Sequence, residues 1–139
     1  MEVNLLGLLV DAGLCVLAWM VQRIVYPGFL EYSPVDLQRW HYKYTPRITG
    51  IVAPLMITQL ALSVYHVIRE PNSLSIWVLM LVLSIWVITF LLFVPIHQRI
   101  DKGEADKTML INLVRLSWFR TLPWTLVLLL DLFNFLNLS

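Results

Sequence analysis

Charge is scarce in this 139-residue sequence: Asp, Glu, Lys and Arg make up 14 % of it, where a soluble domain carries about 25 %. Cysteine occurs once, as Cys15, so the chain has no internal disulfide framework and no cysteine-rich metal site. Glycine is limited to five residues. No P-loop, no Rossmann fingerprint and no Gly-x-Ser-x-Gly elbow occurs among them. The lack of Cys-x-x-Cys-His excludes covalent c-type haem. No lysine lies inside an apolar run, which excludes a retinal Schiff base. The net formal charge is +1, so nothing attracts nucleic acid. The opening Met-Glu-Val-Asn lacks the basic start of a signal peptide. No small-residue cleavage pattern follows the first apolar run, which therefore reads as a retained helix.

What is present is apolar. Hydrophobic residues make up 59 % of the chain, and the mean hydropathy is +0.76. A soluble fold this small has no interior large enough to hide that surface. A globular cytosolic enzyme and a disordered chain are both excluded, and the composition reads as an integral membrane protein.

A membrane-spanning helix needs roughly 20 mostly apolar residues, and four stretches qualify within one domain covering 1–139. They lie at about 5–25, 46–68, 74–97 and 116–136. The second opens at Thr45-Pro46, a capping residue followed by proline at the first helical position. The third keeps its helical pattern past Pro95 until Gly103 supplies a stop. The fourth is preceded by an amphipathic stretch from about Ala105. Pro54, Pro95 and Pro123 fall inside spans, where each removes one backbone bond and favours a kink. Between the first two spans, Ser33-Pro34-Val35-Asp36 announces a short helix through Tyr44. The expected architecture is an all-α integral membrane four-helix bundle with that short interfacial helix between spans one and two.

Cations set the orientation. Arg23, Arg39, Lys43, Arg47, Arg99, Lys102, Lys107, Arg115 and Arg120 share one side, and only Arg69 lies on the other. The basic side is therefore expected in the cytoplasm, as for an inner-membrane protein. Loops 26–45 and 98–115 would face it, with both termini outside.

Polar residues at membrane depth are costly and tend to be functional. Here they form two layers. The inner layer gathers Gln22, Arg23 and Tyr26 from the first span. Trp40, His41, Tyr44 and Arg47 come next, then His97 and Gln98, and finally Asn112, Arg115, Trp118, Arg120 and Trp124. Histidine serves as acid or base near neutral pH, arginine stabilises a developing anion, and Trp and Tyr sandwich a flat ring. The plain reading of the same residues is an interfacial belt of aromatics and cations. His97, just past a proline, and Arg120, one turn deeper than Arg115, fit the belt least. The outer layer is Asp11, Asp131 and His66. Both acids sit roughly 5–10 Å below the surface at 1.5 Å per residue, with no lysine or arginine at their depth. They read either as a proton or weak cation site or as carboxyls that stay protonated at a wetted rim. No metal-ligand spacing accompanies them. Gly7, Ala12 and Gly13 are too few for a glycine-driven dimer face.

Two segments carry a family likeness. Val94-Pro95-Ile96-His97-Gln98-Arg99-Ile100 precedes, after a charged turn, Leu113-Val114-Arg115-Leu116-Ser117-Trp118-Phe119-Arg120-Thr121. This resembles the anthrone oxygenase-like family of small four-helix membrane proteins. In that family the third helix ends in Pro-x-Asn-x-x-Leu, and the fourth carries a tryptophan followed by Arg-Thr. His97 stands where the family usually has asparagine, and Trp118-Phe119 replaces a histidine common before the Arg-Thr pair. The resemblance implies oxygenation of a lipophilic aromatic compound without an obvious cofactor, and marks His97, Arg120 and Trp118.

The residues support two classes of function. The first is a small membrane oxidoreductase or oxygenase acting on a lipophilic aromatic or quinone-like substrate. In it His97 or His41 removes a proton and Arg120 with Arg47 stabilises the anion. Tyr44 and Trp118 hold the ring, and Gln22 and Asn112 add polar contacts. The second is a non-catalytic subunit that binds lipid, pigment or haem, or joins a homo-oligomer or larger membrane complex. No cofactor is required by any motif; haem, through His41 and His97, is the lesser alternative. Membrane lipid and a lipophilic small molecule are the expected partners.

Overall fold

Helix starts and stops follow local chemistry. The Ser33 hydroxyl oxygen accepts the Asp36 backbone N–H at 3.2 Å, with Pro34 at the first helical position. Asn72 and Ser75 form a reciprocal capping box. The Asp106 carboxylate accepts the Met109 N–H at 2.7 Å. Each supplies an acceptor to a helix start whose N–H groups have no partner within the helix. The computed structural model describes residues 2–138 as four helices: α1 (Glu2–Phe29), α2 (Pro34–Arg69), α3 (Ser73–Asp101) and α4 (Lys107–Leu138). All four are long and apolar enough to cross a membrane.

The helices form a ring in which each packs on the next and α4 closes on α1. Short connections at 30–33, 70–72 and 102–106 make neighbours antiparallel. Two connections, 30–33 and 102–106, share the end rich in Arg and Lys, called here the basic end. The 70–72 connection and both termini share the other, the terminal end. Three apolar clusters stack along the interior. Phe29, Phe93, Ile100 and Leu113 belong to the one at the basic end. Leu14, Met56, Ile85 and Trp124 lie in the middle. Val78, Val82 and Val127 lie toward the terminal end. Large side chains such as Leu9, Ile24, Ile68, Trp77, Leu91 and Phe133 point outward and stay exposed. So broad an apolar surface suits lipid rather than water.

Three features differ from the sequence expectation. The short interfacial helix is not separate, because α2 runs unbroken through Thr45-Pro46. Proline costs one backbone bond there, to the Tyr42 carbonyl, on a residue 73 % exposed where solvent or headgroups take the bond's place. Next, α1 and α3 each contain a widened π-helical segment, Val21–Val25 and Thr89–Phe93. Each ends two residues before a proline, Pro27 or Pro95. Those prolines leave the Arg23 and Leu91 carbonyls without their usual partners, so the helix relaxes at that point. Third, His41, expected outside the span, is fully buried. The stop at Gly103 is as expected. Gly103 has φ +75°, its N–H donates to Ile100 and the Glu104 N–H donates to Arg99, both at 3.0 Å. This left-handed closure favours glycine.

Candidate functional site

The four helices enclose a cavity of about 420 Å³ in the half toward the basic end, a size that suits a small organic ligand. Its walls are mostly apolar and include Leu14, Met56, Phe93 and Trp124. Thr49, Phe90, Val94 and Gln98 line it and are exposed. They place its mouth between α2 and α3, on the lipid-facing side.

One wall is a continuous hydrogen-bonded chain drawn from all four helices. Arg120 Nη2 donates to Tyr26 Oη at 2.9 Å. Tyr26 Oη lies 3.0 Å from His97 Nε2. His97 Nδ1 lies 2.7 Å from His41 Nε2, and His41 Nδ1 lies 2.6 Å from Asp101 Oδ1. With both imidazoles neutral, the ends set the direction of every bond. Arginine only donates and a carboxylate only accepts. Tyr26 therefore gives its single proton to His97 Nε2, His97 donates from Nδ1 to His41, and His41 donates from Nδ1 to Asp101. Each ring then carries its proton on Nδ1. The two ring planes are within 18° of parallel, with centroids 4.9 Å apart.

Three residues that line this cavity each carry a buried polar atom with no hydrogen-bond partner among the described residues: Arg120 Nε, Trp86 Nε1 and Thr89 Oγ1. All three can donate, and a buried donor without a partner is costly. The Arg120 guanidinium lies 3.6 Å over the Phe93 ring, a cation–π contact that holds it at membrane depth.

Of the residues expected to act here, His97, Arg120 and Tyr44 line the cavity. His41 stands behind His97 as the next link of the chain. The others are elsewhere. Arg47 and Asn112 are exposed on the outside of the bundle. Trp118 packs edge-on against Trp19, with centroids 5.5 Å apart. Gln22 is buried between α1 and α4, where its amide donates to the Val114 carbonyl at 3.0 Å. All four lie at the right depth, but on helix faces turned away from the cavity.

Asp101 and Trp86 carry signals that the sequence did offer. Asp101 is four residues after His97, on one helical face. Trp86, Thr89, Phe93 and His97 follow the three-and-four spacing of a single stripe. In a run apolar on every side, that stripe does not stand out.

The outer layer also assembles. Asp11 is 3 % exposed, and Asp131 lies close enough to interact with it. Gln59 Nε2 donates to Asp11 at 2.7 Å, and Trp124 Nε1 donates to Gln59 Oε1 at 3.1 Å. His66 Nε2 lies 2.9 Å from Asn4 Oδ1 and borders a pocket of about 40 Å³ that Asp131 also lines. Among the described residues no group of three or more His, Cys, Asp or Glu is arranged to hold a metal ion. The imidazole pair does not fit haem: its facing nitrogens are 2.7 Å apart, and an iron between them needs about twice the ~2.0 Å metal–imidazole bond.

No protein-family model, no curated protein and no solved structure matches this chain.

Proposed function

We propose that the chain is a small membrane enzyme of oxidoreductase or oxygenase type. Its substrate would be a lipophilic aromatic or quinone-like molecule held in the cavity, entering sideways from the lipid. The observation that carries this reading is the meeting of Arg120, Trp86 and Thr89, each with a buried donor that has no partner among the described residues, with a Tyr–His–His–Asp chain around one apolar space. An apolar ring fills the space, and its carbonyl or phenol oxygen takes the free donors. Tyr26 and His97 remove a proton from a phenol or an activated C–H, and Arg120 holds the anion that forms. That anion is the electron-rich form in which anthrones and hydroquinones react with molecular oxygen.

A naphthoquinone titrated into the purified full chain should quench the tryptophan fluorescence of Trp86 and Trp124 saturably. His97→Ala and Arg120→Ala should each cost about 10²–10³-fold in turnover while the helical signal is kept. Saturable binding that is absent, or variants as active as the wild type, would sink the assignment. The second reading is a non-catalytic subunit whose cavity holds a structural lipid or pigment. It is favoured by the lipid-facing mouth, and stoichiometric co-purification of such a molecule would select it.

A further inference from the structure

Two polar chains leave the cavity in opposite directions, and they differ in kind. Toward the basic end run Tyr26, His97, His41 and Asp101, at 3.0, 2.7 and 2.6 Å, ending at Asp101, which borders the cavity at its partly exposed rim. Phenol, imidazole and carboxyl can each take up one proton and release another. Toward the terminal end run Trp124, Gln59 and Asp11, at 3.1 and 2.7 Å. An indole N–H donates but does not accept, and a neutral amide neither takes nor yields a proton near neutral pH. The second chain ties the helices together and passes nothing.

We propose that Tyr26, His97, His41 and Asp101 are a proton wire that carries a proton from a ligand in the cavity to the rim at the basic end. His41 is its hidden relay: it does not line the cavity and positions no ligand. The wire as built points outward. A ligand hydroxyl gives its proton to Tyr26 Oη as the Tyr26 proton passes to His97 Nε2. The Nδ1 proton of His97 passes to His41 Nε2, and the Nδ1 proton of His41 passes to Asp101. One proton enters and one leaves. Tyr26 is again a phenol, each imidazole is the opposite neutral tautomer, the ligand is an anion beside Arg120, and Asp101 is an acid. The Asp101 side chain is 31 % exposed, so it releases the proton to water. His41 is enclosed by Phe29 of α1, by Tyr44 and Thr45 of its own helix, and by His97 and Asp101 of α3. Arg120 of α4 reaches the wire through Tyr26. The identity of the proton donor rests on the cavity reading above, but the wire exists without ligand and is tested without it.

Nitrogen-15 NMR of histidine-labelled full chain in lipid bilayers reports which nitrogen of each ring carries the proton. His41 and His97 should both be neutral with the proton on Nδ1, the tautomer that free histidine disfavours. Tyr26→Phe should change the signals of His41 as well as those of its neighbour His97. Asp101→Leu should change those of His97 as well as its neighbour His41. His66, at the terminal end, should stay fixed in both and so reports an intact fold. A proton on Nε2 of either ring in the wild type would overturn the wire, and so would changes confined to the adjacent ring. If a variant unfolds, the wild-type tautomers decide alone. Failure of naphthoquinone to bind would remove the cavity reading and leave this result standing.

Discussion

Arg120 shows how one residue can be affordable at membrane depth. Its guanidinium lies on Phe93, one Nη donates to Tyr26, and Nε is buried without a partner among the described residues. Lysine has no planar fork to do these things together. Gln59 is the matching case in the core, since it is 3 % exposed and satisfies both Trp124 and Asp11. Gln59→Leu strands both partners and should cost about 2–5 kcal/mol of stability, measured by denaturant unfolding in detergent. Asp11→Asn keeps an acceptor for Gln59 and should cost under about 1 kcal/mol. Equal losses in the two variants would show that Asp11 is needed as an acid. At this scale His97 and Arg120 were legible because each breaks the pattern of its helix near a proline. Arg47, Trp118, Gln22 and Asn112 were legible only as to depth. Depth follows from counting along a helix, whereas the face a residue presents inward depends on how four helices are rotated against one another.

The elements owe their shape to a few local choices. Pro27 and Pro95 each follow a π-helical segment, and the wire begins beside them, with Tyr26 and His97 one residue before and two residues after the respective prolines. Widened turns of this sort occur often at functional sites. They escape a hydropathy reading because the apolar pattern runs straight through them. Gly103 closes α3 and brings Asp101 against α2, where Gln38 Nε2 donates to the Asp101 carbonyl at 3.0 Å. A Cβ on Gly103 would sit 2.9 Å from Gln38 Oε1 on a left-handed backbone with φ +75°. Gly103→Ala should therefore lose about 1–2 kcal/mol on thermal unfolding, and should loosen the Asp101–His41 contact. A melting temperature equal to the wild type would show that the turn rearranges freely. The join of α2 across Pro46 was missed for a related reason. A Thr-Pro pair makes a good helix start, and the sequence alone does not say whether the preceding turn continues into it.

At the scale of the molecule, an apolar exterior surrounds a thin interior whose polar content is arranged end to end. The count of nine cations at one end against Arg69 at the other predicts that the basic end faces the cytoplasm and both termini face outward. Single cysteines introduced at the 102–106 connection and near residue 136 should label from opposite sides with a membrane-impermeant maleimide, the second from outside. Cys15 is buried, so the background is low. Labelling of both from one side would contradict the two-sided arrangement. With that orientation the wire would release its proton on the cytoplasmic side.

The sequence by itself determined the number of long apolar helices and where α2 and α3 stop. Those properties depend on composition, on hydrophobic runs and on capping residues adjacent in the chain. It also placed His41, His97 and Arg120 at one level. Only the tertiary structure decided that Tyr26, His97, His41 and Asp101 touch, that Asp11 lies near Asp131, and that three residues with unpartnered donors line one apolar space. Each of these joins residues 56 to 120 positions apart, or depends on helix rotation, and neither is encoded in the period of any one helix.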